Sequence, residues 1–467
     1  MHRCLQVPEL VALISSHLIT PWYSTPAERR DLAMLARTST VFSDHALRLL
    51  WASVALMNLL RCLPSDAYSL TEEVKMYNAY YRMTPRRSLE EPDFERVRFY
   101  ARYIRRLDSD SHNGSAMVGS VRPWLSESMF PLLQRLTSIC MPGDFPAASA
   151  LVSQLATLPT AVFALSECVR GLYHIQTLYT DVLDCPALDH LSRLSSLQEL
   201  ILNGMIPTDF PTPGSQPLFP SLVYFYATEI DSASRFLQRG KDIALAALIL
   251  KKNHPRPVPS TSDEMHRLLS AMESGISYSS LTDFGFTDGK AGSFDRSDAL
   301  IYTIRASSLR CLFCFNNLTD VSIETVVGFD LDNATVADMA RSWPHIKELL
   351  LQTRFGVSRP RTTLHCLEAF AEYCPDLVKL CISFDATVIP KSQGDFRLKD
   401  LMMLQVDASP ISEADPVAQI ILRICPRLTD VWTLSYADIE WEETEAEYFA
   451  IWQKVGSNLR GGKSPEA

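Results

Sequence analysis

Five stretches of this chain share one short grammar: FPLLQRL at 130–136, FPSLVYF at 219–225, WPHIKEL at 343–349, CPDLVKL at 374–380 and CPRLTDV at 425–431. Each opens on an aromatic residue or Cys followed by Pro. Apolar residues then recur at i, i+3 and i+5, most fully in Ile346, Leu349, Leu351 and in Leu377, Leu380, Ile382. A proline ring crowds the residue before it out of helical backbone angles, so each junction reads as a helix stop that sends the chain extended. Positions i+3 and i+5 then share one face of a strand, because side chains alternate with period two. Between the last two full copies but one, Leu364, Leu367, Phe370 and Ala371 recur at helical spacing. One strand and one returning helix thus occupy about 31 residues, and the unit repeats.

Weaker copies begin at Ile175, Leu197, Leu245, Leu281, Leu309 and Leu398, giving about eleven strands in all. The period is that of leucine-rich-repeat-type solenoids, whose units bury their apolar faces only by stacking on one another. Intervening helices are expected too, notably one over TSDEMHRLLSAM, where Thr261 and Glu264 form a capping box. The expected fold class is therefore α/β, a solenoid of strand–helix units over 121–460; an ordinary α/β domain is the alternative. Composition agrees with a packed chain, 47% apolar and 21% charged over 467 residues. A net charge of −10 argues against nucleic acid as the main partner. Eleven scattered cysteines suit reduced, buried thiols better than a disulfide framework. The apolar run at 243–250 is too short to span a membrane, and Pro8, Glu9 and His17 interrupt the N-terminal one. A soluble protein of the cytoplasm or nucleus is expected.

The first fifty residues have a different character. Pro8 and Glu9 suit a helix first turn, and Leu10, Leu13, Ile14, His17 and Leu18 follow at helical spacing. After a loop with two prolines come a second helix carrying Leu32, Leu35 and Ala36, and a third with Val41, Phe42, Ala46, Leu49 and Leu50, ending at Trp51. Three short helices make a bundle too small to be stable without a neighbour. VPELVALISSHL followed by DLAMLARTSTVFSDHALRLLW resembles an F-box over residues 5–54. The resemblance implies docking onto a small SKP-type adaptor, joined to a cullin scaffold and through it to a ubiquitin-conjugating enzyme. Its matching positions are Pro8, Leu10, Ile14, Leu32, Leu35, Phe42 and Trp51. Val7, Thr38 and Ser39 depart from the usual pattern, and the first loop is long. A three-helix cap that merely closes the solenoid is the alternative. The stretch from 300 to 435 also resembles fungal F-box proteins with degenerate leucine-rich repeats, a likeness that implies no particular target.

Between these regions, residues 55–120 read as a helical connector. Asp93 to Leu107 reads as one helix, with Arg98, Arg102, Arg105 and Arg106 lining its polar side as a solvated stripe. The C-terminal WEETEAEYFAIWQKV reads as a helix whose Phe449 and Trp452 cover the last repeat, and 461–467 as a disordered tail. Catalytic signatures are missing: no GxSxG, phosphate-binding glycine loop or paired His pattern occurs. Cys311-x-x-Cys314 is half a zinc site without its second half, and Asp330 and Asp332 lack the remaining ligands of a calcium loop. No catalytic residue, metal or cofactor is expected.

What remains is binding. The residue between i+3 and i+5 in each copy faces away from the core, onto the open side of the sheet. In chain order this row is Thr137, Ile201, Tyr226, Ile249, Gly285, Phe313, Leu350, Cys381, Met402 and Trp432. It is mostly apolar where a solvated face would be polar, and contiguous apolar surface commonly marks an interaction site. Ile201, Tyr226, Ile249, Phe313, Leu350 and Trp432 are the candidate target-binding residues. With the F-box resemblance, which implies a substrate-recognition subunit of a cullin-based ligase, the expected function is capture of an unidentified target protein on the sheet. A non-catalytic repeat scaffold is the alternative.

Overall fold

Three helices end on nearly one backbone geometry. Asn333–Ser342 stops at Trp343 (φ −121°, ψ 64°), His365–Tyr373 at Cys374 (−123°, 70°) and Ala414–Ile424 at Cys425 (−120°, 72°). Proline follows each, and its ring imposes the turn out of the helix. The residue before it plugs the seam between helix layer and sheet: Trp343, Cys374 and Cys425 have no exposed surface. Trp343 also donates its indole N–H to the Leu312 carbonyl at 3.2 Å, so the buried polar edge of the ring is satisfied.

The computed structural model describes residues 7–18, 25–75, 78–87, 89–108, 138–140, 166, 169–180, 183–207, 218–252, 259–288, 298–353, 360–390, 396–433 and 443–461. The chain divides into two compact units, Met1–Pro211 and Thr212–Ala467.

The second unit is the more regular. Tyr224–Ala227, Ala247–Lys251, Asp283–Thr287, Asp320–Thr325, Glu348–Thr353, Lys379–Cys381, Met403–Gln405 and Val431–Trp432 pair in chain order, every pair parallel. One core position runs through all of them: Phe225, Leu248, Phe284, Val321, Leu349, Leu380, Leu404 and Val431 are in register. All are buried. Burying a side chain of this size contributes about 1.5–3 kcal/mol, and here it is possible only because the next strand supplies the contact. Helices pack in series on the core side. Ser262–Gly275 lies so close to Ile230–Arg239 that a Cβ on Gly275 would sit 2.1 Å from the Leu237 carbonyl oxygen. The capping box is formed, Glu264 N–H reaching Thr261 Oγ1 at 3.2 Å and Thr261 N–H reaching Glu264 Oε2 at 2.8 Å. Asp332 is a cap as well, accepting from Thr335 N–H at 2.8 Å, while Asp330 pairs with Arg361. Helix Glu443–Gly461 closes this end with Trp452, Val455 and Leu459 buried, and Trp452 donates to the Ser409 carbonyl at 2.9 Å.

The first unit holds the three N-terminal helices, Pro8–Ser16, Pro26–Thr38 and Thr40–Leu50. Thr25 and Glu28 make a capping box on the second, and the Ser39 hydroxyl caps the third. Parallel strands follow directly: Ser53–Ala55, Arg106–Asp108, Ser138–Cys140, Thr177–Thr180 and Glu199–Leu202, again in chain order.

Several expectations need correction. The helix expected over Asp93 to Leu107 ends at Ala101, and Arg106–Asp108 is a strand. Ile104 and Leu107 sit at i and i+3 of one more repeat, so burial against neighbouring strands overrides helical spacing, and Arg105 and Arg106 leave the basic stripe. The ladder therefore begins at Ser53, inside the expected F-box segment and ahead of the expected connector. That connector also contains an antiparallel hairpin, Tyr68–Lys75 with Asn78–Pro85. The copy at Leu309 forms no strand. Leu309, Leu312 and Phe315 are buried from short helical turns, and the strand comes later, at Asp320–Thr325. The copy at Leu398 is displaced by three residues, its core positions being Leu401, Leu404 and Val406. Spacings of i and i+3 suit a helical turn and a repeat equally, so they do not set the register. Gly461 belongs to the last helix. Thr137 and residues 130–136 lie outside the described residues.

Candidate protein-binding surfaces

The first helix is amphipathic in an unusual sense. Val11 and Ser15 form its buried side, with the Ser15 hydroxyl donating to the Val11 carbonyl at 2.8 Å. Leu10, Leu13 and Ile14, at i, i+3 and i+4, point outward and are 41%, 55% and 42% exposed. Of the seven positions that match the F-box resemblance, Leu10 and Ile14 therefore lie on open surface. Pro8 is the first residue of the helix. Leu35 and Phe42 are half-buried. Leu32 is completely buried within the bundle, and Trp51 stacks on Tyr100 with ring centroids 4.2 Å apart and an interplanar angle of 16°. Those two side chains serve the first unit's own packing.

The second surface is the open side of the eight-strand ladder in the second unit. Side chains flanking the core position on each strand face it, as the alternating burial of Asp283–Thr287, Asp320–Thr325 and Glu348–Thr353 shows. The central row, read by strand pairing, is Tyr226, Ile249, Gly285, Ser322, Leu350, Cys381, Gln405 and Trp432. Tyr226, Ile249 and Leu350 are half-buried there, and Trp432 stands 59% exposed at one end. So four of the six candidate target-binding residues come together. Ile201 occupies the equivalent place beside Tyr179 in the first unit. Phe313 does not belong to the row: it follows a short 3-10 turn and packs edge-on against Trp343, and Ser322 takes its place. Met402 likewise gives way to Gln405.

Cys381 keeps its register but loses its exposure. Asp407, a non-glycine residue with φ 46°, turns its carboxylate over the strand end and covers the thiol. It accepts from Thr353 N–H at 3.0 Å and Gln405 Nε2 at 2.8 Å, with Cys381 Sγ 3.6 Å away. Burial pushes the Asp407 carboxyl up to about 6 and, with the nearby carboxylate, raises the Cys381 thiol well above its ordinary range. These groups knit the ladder together.

A second row lies on the same face. Asp283, Asp320 and Glu348 are neighbours in register on three successive strands. Glu348 is paired with Lys379 at 2.7 Å. Among the described residues the Asp283 and Asp320 carboxylates accept only the hydroxyls of Thr282 and Thr319, at 2.5 and 2.6 Å, and no cation pairs with either. In the sequence an acid stands immediately before the core residue of each of these three strands, although the middle strand lies beyond the copy at Leu309. Also among the described residues, no group of three His, Cys, Asp or Glu side chains could hold a metal ion. No helix there is long and apolar enough to cross a membrane.

No family model matches the chain, and no curated protein matches it in sequence. Among solved structures it is similar to an internalin (inlF) from Listeria monocytogenes str. 4b F2365, at 15% identity and a TM-score of 0.30, over 62% of this chain and 82% of that one. Likeness at that level assigns no function; the repeating architecture stands on the strand pairing itself.

Proposed function

We propose that this chain is the substrate-recognition subunit of a cullin-based, SCF-type ubiquitin ligase. The first helix docks on an SKP-type adaptor, and the open sheet face of the second unit holds a target protein. The chain performs no chemistry and needs no metal or cofactor; it contributes proximity, placing a target lysine near an enzyme supplied by the complex. The observation that carries this reading is the outward stripe of Leu10, Leu13 and Ile14. Contiguous apolar surface left in water commonly marks an interaction site. Burying each against a partner contributes about 1.5–3 kcal/mol. Replacing Leu10 and Ile14 together by Ala in the full chain should therefore weaken adaptor binding about tenfold or more. The direct measurement is co-purification with adaptor and cullin, followed by titration of the adaptor.

A second reading, a repeat scaffold whose helical cap recruits no ligase, is favoured by the burial of Leu32 and the stacking of Trp51 on Tyr100. It prevails if the unaltered chain binds no adaptor at micromolar concentration.

A further inference from the structure

The open face of the second unit has both shape and sign. At its centre the floor is made by Gly285 and Ser322, small residues on adjacent strands. Ile249 leans over that floor from one side: a Cβ on Gly285 would meet its Cδ1 at 2.8 Å. Leu350 stands on the other side of Ser322. The two apolar walls are three strand spacings apart, roughly 14 Å between backbones. Along one margin of this trough lie the carboxylates of Asp283 and Asp320. In-register like charges on adjacent strands destabilise a sheet. Lys379 relieves Glu348, whereas the two aspartates face each other with no cation among the described residues.

We propose that the occupant of this face is a basic polypeptide segment, whose Lys or Arg side chains lay their aliphatic stems on Ile249 and Leu350 and bring their cations to Asp283 and Asp320. The proposal rests on the target-capture reading of the same face and names the chemistry of the target. Long basic side chains suit both halves of the surface, an apolar stem for the trough and a charged head for its rim. Complementary charge also sets which partners are rejected. Nucleic acid is repelled by the acidic margin, and a second copy of this chain, with its net charge of −10, is a poor match. A lone divalent ion is disfavoured because the carboxylates do not converge into a metal cluster among the described residues.

The test is an array of random peptides probed with the full chain, with Asp283→Asn/Asp320→Asn, with Leu350→Ser and with Trp432→Ser. Bound peptides should be enriched in Lys and Arg next to apolar residues. The double Asn variant should bind the best of them about tenfold more weakly at low salt, with the difference shrinking at high salt. Its thermal midpoint should equal or exceed that of the unaltered chain, because a repulsion has been removed. Loss of binding by the Leu350 and Trp432 variants, with no basic enrichment or with enrichment surviving in the double Asn variant, overturns the basic-target inference and leaves the face as a binding site. Binding that vanishes on chelation of divalent ions overturns it in favour of a metal. Absence of any bound peptide, or binding untouched by all the variants, overturns the capture reading together with the inference.

Discussion

Leucine has opposite fates in the two regions of this protein. In the repeats Leu349, Leu380 and Leu404 have no exposed surface, each sealed by the strand before and the strand after. On the first helix Leu10 and Leu13 keep about half of theirs, although their spacing is equally regular. The difference lies in what each apolar face meets. A repeat brings its own neighbour, because the next copy is covalently attached one period later. A short terminal helix has only one side to offer the bundle, and Val11 and Ser15 occupy it. Apolar periodicity therefore measures the demand for a partner surface, and among the described residues that demand is satisfied internally in one region and not in the other.

The comparison is broken most directly by truncation. Leu380→Ala should leave a cavity in the ladder and cost about 2–5 kcal/mol, read as a lowered urea midpoint. Leu10→Ala should change the same midpoint by at most about 0.5 kcal/mol, as expected of an open surface position. Equal losses at the two sites would mean that the first helix is packed away in solution.

A smaller effect sharpens the account of the buried polar groups. The folded chain holds the Asp407 proton up to about 6, against an ordinary 3.8, because burial disfavours the carboxylate. The folded state thus binds this proton more tightly than the unfolded chain. Its contribution is full below 3.8 and is lost as pH rises to about 6. Asp407→Asn should remove that slope, so the difference in urea midpoint between the two chains should change between pH 4 and pH 6 and level off above. A constant difference would place Asp407 in water rather than under the Thr353 and Gln405 donors.

The least effect is expected one residue from the greatest. Lys379 lies on the open face and is 42% exposed, joined to Glu348 by a surface ion pair. Such pairs contribute about 0–1 kcal/mol, and Lys379→Ala should shift stability by no more than about 0.5 kcal/mol. A loss there rivalling that of Leu380→Ala would reverse the strand's faces, since a slip of one residue exchanges them.

Features that depend on a few adjacent residues were legible in the chain alone. The X-Pro junctions at Trp343, Cys374 and Cys425, the capping box of Thr261 and Glu264, and the core triplets at Leu281, Leu349 and Leu380 are local chemistry, and they suffice for an α/β repeat. Faces and register are not local. The helical turn at Leu309 to Phe315 and the three-residue displacement at Leu401 share the i, i+3 spacing of true strands, and only pairing with neighbours separates them. The outward acids Asp283 and Asp320 are 37 residues apart in the chain, yet adjacent across one pair of strands. Cys381 reads as exposed until Asp407 folds over it. Tertiary structure decided these because a side chain's surroundings are set by residues a whole period away, whose alignment no single stretch of sequence encodes.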